Sequence, residues 1–117
     1  MLYILENERV MREKRDFCLL LRGWGARMIV TRWAPEESSF VFMCDLHGFE
    51  LRFTVFTPSI LNFNSTGTRR RTPDGARAAH IAHVVSDLKK LRLKVRAKLL
   101  IDRHRFAEEF AEWIVKH

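Results

Sequence analysis

Six aliphatic residues, Ile81, Val84, Leu88, Leu91, Val95 and Leu99, fall three or four positions apart without interruption. Only an α-helix brings residues at that spacing onto one side. Thr72 and Pro73 supply the opening, a capping hydroxyl and then a proline at the first helical position, where its missing N–H has no partner to lose. The spacing predicts a long helix from Pro73 to about Ile101, roughly 43 Å at 1.5 Å per residue. A chain of 117 residues is long enough to bury one hydrophobic core against such a helix, so residues 1–117 are expected to form one domain.

The rest of the chain supplies the partners. From about Asn7 to Arg22, Val10, Met11, Phe17, Cys18 and Leu21 mark one face of a second amphipathic helix, and Gly23 and Gly25 give it a permissive place to stop. The period then changes. Ala26 to Trp33 reads as a strand through Met28, Ile29, Val30 and Thr31. Ser39 to Leu46 places Phe40, Phe42, Cys44 and Leu46 on one face, and His47-Gly48 allows a tight hairpin. Phe49 to Phe56 alternates cleanly, with Phe49, Leu51, Phe53 and Val55 opposite Glu50, Arg52 and Thr54. Residues 57–72 read as a long surface loop, of a length that is uncommon without a role. Asp102 caps a last short helix whose buried stripe is Phe106, Phe110, Trp113 and Ile114. The expected fold is α+β: helix, three-stranded antiparallel meander, long helix, short C-terminal helix.

With 47% hydrophobic and 30% charged residues the chain belongs with globular proteins. Met1 to Leu5 is too short for a secretory signal, and no apolar run approaches the ~20 residues that cross a bilayer. A cytoplasmic protein without a membrane partner is expected. Cys18 and Cys44 each sit in an apolar run and read as buried free thiols.

The net charge of +7 is unevenly spread. Residues 1–68 carry eight basic and eight acidic residues, whereas residues 69–105 carry twelve basic and three acidic ones. Residues 106–117 are acidic through Glu108, Glu109 and Glu112. On the long helix, Lys90, Lys94 and Lys98 lie one turn apart, and Lys89, Arg92 and Arg96 follow the three-and-seven spacing. Arg69-Arg70-Arg71 precedes the helix opening. Like charges this close repel, and an anionic partner relieves the repulsion. Phosphate fits best, because nucleic acid presents regularly spaced charge and arginine matches it in two-pronged geometry. The expected ligand set is Arg69, Arg70, Arg71, Lys89, Lys90, Arg92, Lys94, Arg96 and Lys98, with nucleic acid as partner. Trp24, Trp33 and Phe63 are candidates for stacking on unpaired bases.

Catalytic signals are weak. His80, His83 and Asp87 recur at three and seven on the long helix, a spacing that suits a metal or a proton relay, but no HExxH, paired-Cys motif or Gly-rich phosphate loop completes a site. No enzyme activity, metal or cofactor is expected.

Gly25-Ala26, Arg52-Phe53, Pro58, Arg71-Thr72, Arg96-Ala97-Lys98-Leu99 and Phe106 with Glu108-Glu109-Phe110 follow one another in a layout that resembles a group of small uncharacterised proteins from bacterial prophages and other mobile elements. The resemblance spans most of the chain. It implies a mobile-element setting, and with it two roles: DNA transactions of the element, or inhibition of host defence. The second makes an acidic host protein or a CRISPR effector the alternative partner. The order helix, three strands, helix is also that of double-stranded-RNA-binding domains, a likeness of element order alone. Finally, the heptad-like stripe of the long helix suggests a homodimer if one small sheet cannot cover it.

Overall fold

The computed structural model describes residues 2–67 and 69–117. Its central helix, Pro73–Leu99, opens as the sequence predicts: the Thr72 hydroxyl accepts the Gly75 amide at 3.1 Å, with proline in the first turn. The preceding long helix, Glu8–Gly23, is capped by Asn7, whose side chain accepts from the Arg9 and Val10 amides. It closes in a Schellman turn. Gly25, at φ 93°, donates to the Arg22 carbonyl at 3.0 Å, and Ala26 reaches back to Leu21, also at 3.0 Å. A four-residue helix, Leu2–Leu5, comes first and was not expected, because one turn carries no period to read. The helices are thus α1 (Leu2–Leu5), α2 (Glu8–Gly23), α3 (Pro73–Leu99) and α4 (Phe106–Glu109).

Strands β1 (Arg27–Ala34), β2 (Ser39–Leu46) and β3 (Phe49–Phe56) form the antiparallel meander in that order. His47 and Gly48, at φ 53° and 84°, make the tight turn between β2 and β3. The register brings Phe40, Phe42 and Cys44 beside Val55, Phe53 and Leu51, so the apolar sets of both strands share one face. α2 and α3 pack on that face, and Phe17 from α2 meets Phe42 and Phe53 edge-on, with ring centres at 4.9 and 5.1 Å. The two helices run parallel: Tyr3, just before α2, contacts His80, while Glu13 contacts Arg92 further along α3.

β1 and β3 are the sheet's edges, and the chain treats them differently. β1 carries a bulge between Arg27 and Val30, with Met28 at φ 55°, which breaks the regular row of free backbone groups. β3 is covered. After α4 the chain turns extended, so that the Arg52 amide donates to the Trp113 carbonyl and the Val115 amide to the Glu50 carbonyl, both at 2.8 Å. The expected C-terminal helix is therefore brief, and its Phe106, Phe110 and Trp113 are buried as the stripe predicts.

A helix of 27 residues, about 40 Å, outruns an eight-residue strand of about 27 Å. Residues 57–67 and 69–71 sheathe its N-terminal part through a 3-10 turn at Ile60–Phe63 and a miniature hairpin, β4 (Ser65–Thr66) with β5 (Arg69–Arg70). This segment, expected as a loop, is pinned by His80. Its Nε2 donates to the Pro58 carbonyl at 2.8 Å, Tyr3 donates its hydroxyl to Nδ1 at 2.7 Å, and the Phe63 ring stacks on the imidazole. Neither bond requires a charged ring. His80 is fully buried, and burial is the main cause that holds its pKa below the ordinary 6.5 against the upward pull of the Pro58 carbonyl.

A native pKa below the unfolded one means that the unfolded chain takes up a proton first as pH falls. His80 thus contributes full stability above about pH 6.5, lost progressively as pH drops through 6.5 toward the native value. His47, lowered by burial and by Arg103, adds the same sign. The expected result is an imidazole NMR titration of His80 below 6.5, with a thermal midpoint that declines from pH 7 to 5. A His80 titration above 6.5 would contradict the buried neutral network.

Candidate functional site

The basic residues of α3 do not form one patch. The packing of α3 divides them between two flanks. Lys90, Lys94 and Lys98 run along the flank that meets the C-terminal segment. Lys94 Nζ lies 2.9 Å from Glu112, and Lys98 Nζ lies 3.6 Å from the Glu109 carboxylate while donating to the Glu109 carbonyl at 2.9 Å. Both ammonium groups also sit over the Trp113 ring, 5.2 and 5.5 Å from its centre. On the other flank, Arg92 pairs with Glu13 of α2 at 3.3 Å, with only 21% and 14% of the two side chains exposed. Three of the nine expected phosphate ligands, Arg92, Lys94 and Lys98, therefore already hold carboxylates. Helical spacing placed them in rows, but spacing does not reveal which acidic element packs alongside.

What the fold does bring together crosses from α2 to α3. Arg9 and Arg12 of α2 and Lys89 of α3 line one groove of about 340 Å³, floored by Ala82, Val85 and Ser86 and bounded by Glu13, whose charge Arg92 answers. Among the described residues none of Arg9, Arg12 and Lys89 has a carboxylate partner. The groove thus keeps three unanswered positive charges. Arg12 also borders a shallower depression with Met11, Arg15 and Glu8, so one carboxylate stands on the neighbouring surface.

Arg9 and Arg12 escape a reading of the sequence because residues 1–68 are neutral in sum. The acids of α2 are engaged elsewhere: Glu13 pairs with Arg92 of α3 and Asp16 with Arg15. Charges that cancel along the chain do not cancel in space. A count on α2 alone, five basic residues against Glu8, Glu13 and Asp16, was the available signal.

A second cationic space lies at the entrance to α3. Arg70, Arg71 and Arg77, with Ile60, Asn64 and Pro73, line a depression of about 380 Å³. Arg71 is fixed there, its backbone amide on the Asn64 carbonyl at 2.8 Å and its Nη1 on the Phe63 carbonyl at 3.1 Å. The Arg77 guanidinium sits 5.6 Å from the centre of the Tyr3 ring. Arg69 belongs to the same hairpin, paired with Thr66, and is exposed. Twelve residues of helix separate Arg77 from Lys89, about 18 Å along the axis. Lys90 and Arg96 are exposed and, among the described residues, unpaired, but they line neither space.

The remaining candidates disperse. His80 faces inward on Tyr3 and Pro58, whereas His83 pairs with Asp87 at 3.0 Å. Among the described residues no group of three or more His, Cys, Asp or Glu side chains is placed to hold a metal ion. Cys18 and Cys44 are free, and burial pushes the Cys44 thiol up to about 11. Trp33 is half-buried against Phe40 and Phe63 lies on His80, which leaves Trp24, 39% exposed, as the accessible aromatic of the three. Among the described residues no helix is long and apolar enough to cross a membrane.

No protein family, no curated protein and no solved structure matches this chain.

Proposed function

We propose that this protein binds nucleic acid through its phosphates, as an accessory protein of a phage or mobile element, the setting its sequence resemblance implies. The observation that carries the reading is the convergence of Arg9, Arg12 and Lys89 from two parallel helices, without carboxylate partners among the described residues. A small anion meets one of these charges. A polyanion that carries a charge every ~1.7 Å lays consecutive phosphates along the groove trio.

The helices supply a rigid mount, since α2 is anchored in the core through Val10, Phe17 and Leu21 and α3 through Val84, Leu88 and Val95. The Arg92–Glu13 pair links the two helices beside the groove and keeps its walls in register. Binding of this kind releases condensed counterions and is indifferent to base sequence. Lys94 and Lys98 have a different task in this reading, which is to dock the C-terminal segment.

Amide chemical-shift mapping on the isotope-labelled protein, titrated with duplex and single-stranded DNA and RNA, tests it. The expected perturbations centre on residues 9–12, 82–89 and 64–77, with residues 106–117 unmoved. Perturbations confined to residues 106–117, or none with any nucleic acid while a host protein is retained through nuclease treatment, would replace this reading with the inhibitor role.

A further inference from the structure

We infer that the depression at the entrance to α3 holds the terminal phosphate of a nucleic-acid strand, with Arg70, Arg71 and Arg77 as its ligands. The inference rests on the nucleic-acid reading and adds which part of the polymer this space recognises. Three arginines from two pieces of chain line it: Arg70 and Arg71, at the end of β5 and in the link to Thr72, and Arg77 from the second turn of α3. Arg71 is held in place by the Phe63 carbonyl and Arg77 by the Tyr3 ring. None of the three has a carboxylate partner among the described residues. Guanidinium groups gathered around one space repel until an anion enters.

Charge selects among phosphates. A phosphomonoester carries about −1.5 to −2 at neutral pH, whereas a diester within the backbone carries one negative charge. Three arginines match the former better, and their forks suit its three free oxygens. The free end of the helix is not the source of attraction: Thr72 already takes the Gly75 amide, and Asp74 stands in the first turn. The space, about 380 Å³, is of the size that holds a small organic molecule and not a lone ion. Ile60 and Pro73 give it an apolar wall for the terminal sugar and base.

Oligonucleotides of one sequence, bearing a 5′-phosphate, a 3′-phosphate or hydroxyls at both ends, are compared by competition at ~50 mM salt. One phosphorylated end should raise affinity roughly tenfold, as two or three charge-assisted bonds allow. In Arg70→Ala/Arg77→Ala that preference should vanish while the hydroxyl-ended strand keeps most of its affinity. Both residues are exposed, and Arg71 stays intact because it braces Phe63. Equal affinity for all ends overturns the pocket and leaves backbone binding in place. A preference that survives the double variant overturns the residue assignment. No binding of any strand overturns both readings, and a phosphoserine peptide of matched charge that binds as tightly overturns nucleic acid as the ligand.

Discussion

Replacing Arg9, Arg12 and Lys89 together with glutamine is expected to weaken duplex binding by two to three orders of magnitude at ~0.1 M salt. Counterion release sets the size of the loss. Each neutralised phosphate contributes about 0.9 to the log–log dependence on salt, so three lost contacts remove about 2.7, and at ~0.1 M that is a factor of several hundred. Glutamine keeps helix propensity, and the three side chains make no ion pair among the described residues, so the fold should survive. The matched control is Lys94→Gln/Lys98→Gln, which removes the same kind of charge from the same protein. Their partners are Glu112 and Glu109, so this variant should bind almost normally and lose about 1 kcal/mol of stability. Equal losses of affinity in the two variants would mean that net charge alone governs binding and that the groove has no special standing.

Phe17→Ala should have the largest effect on stability, about 3–5 kcal/mol in chemical denaturation. Phe17 is 1% exposed and its ring is the point where α2 meets β2 and β3, edge-on to Phe42 and Phe53. Truncation leaves a cavity that Phe42 and Phe53 cannot move to fill, because the pairing of their strands holds both in place. Against a total of about 5–15 kcal/mol for a domain of this kind, the midpoint temperature should fall by roughly 12–20 °C. Leu19→Ala on the same helix, at a position 52% exposed, should cost less than about 0.5 kcal/mol. A loss below about 1 kcal/mol for Phe17→Ala would show that the helix and sheet do not share this core.

The meander was legible because its signals are local. The alternation in Phe49–Phe56 sets which face is apolar, and the glycine of His47-Gly48 tolerates the positive φ of the turn, so the boundaries of Ser39–Leu46 and Phe49–Phe56 agree with the sequence. The start of α3 was legible for a similar reason, since the cap and proline act within four residues. Elements that depend on distant partners were not. α1 is one turn held by the burial of Ile4, the sheath that begins at Pro58 and Ile60–Phe63 exists because α3 outruns the sheet, and the C-terminal strand pairing needs β3 beside it.

The site divides along the same line. Arg70 and Arg71 stand out as a run of like charge in any reading of the chain, whereas Arg9 and Arg12 become visible only when α2 is laid parallel to α3. The pairing of Lys94 and Lys98 with Glu112 and Glu109 crosses from one element to another, and no helical periodicity reports it. The basic segment was right as a composition and divided as a surface.

The salt dependence of duplex affinity for the native chain tests the central claim most directly. The three unpaired cations of the groove, Arg9, Arg12 and Lys89, bound to backbone phosphates would give a log–log slope of about −2.7 with a hydroxyl-ended duplex, reduced toward zero when the trio is replaced. A flat slope, or no binding at ~50 mM salt, would contradict it.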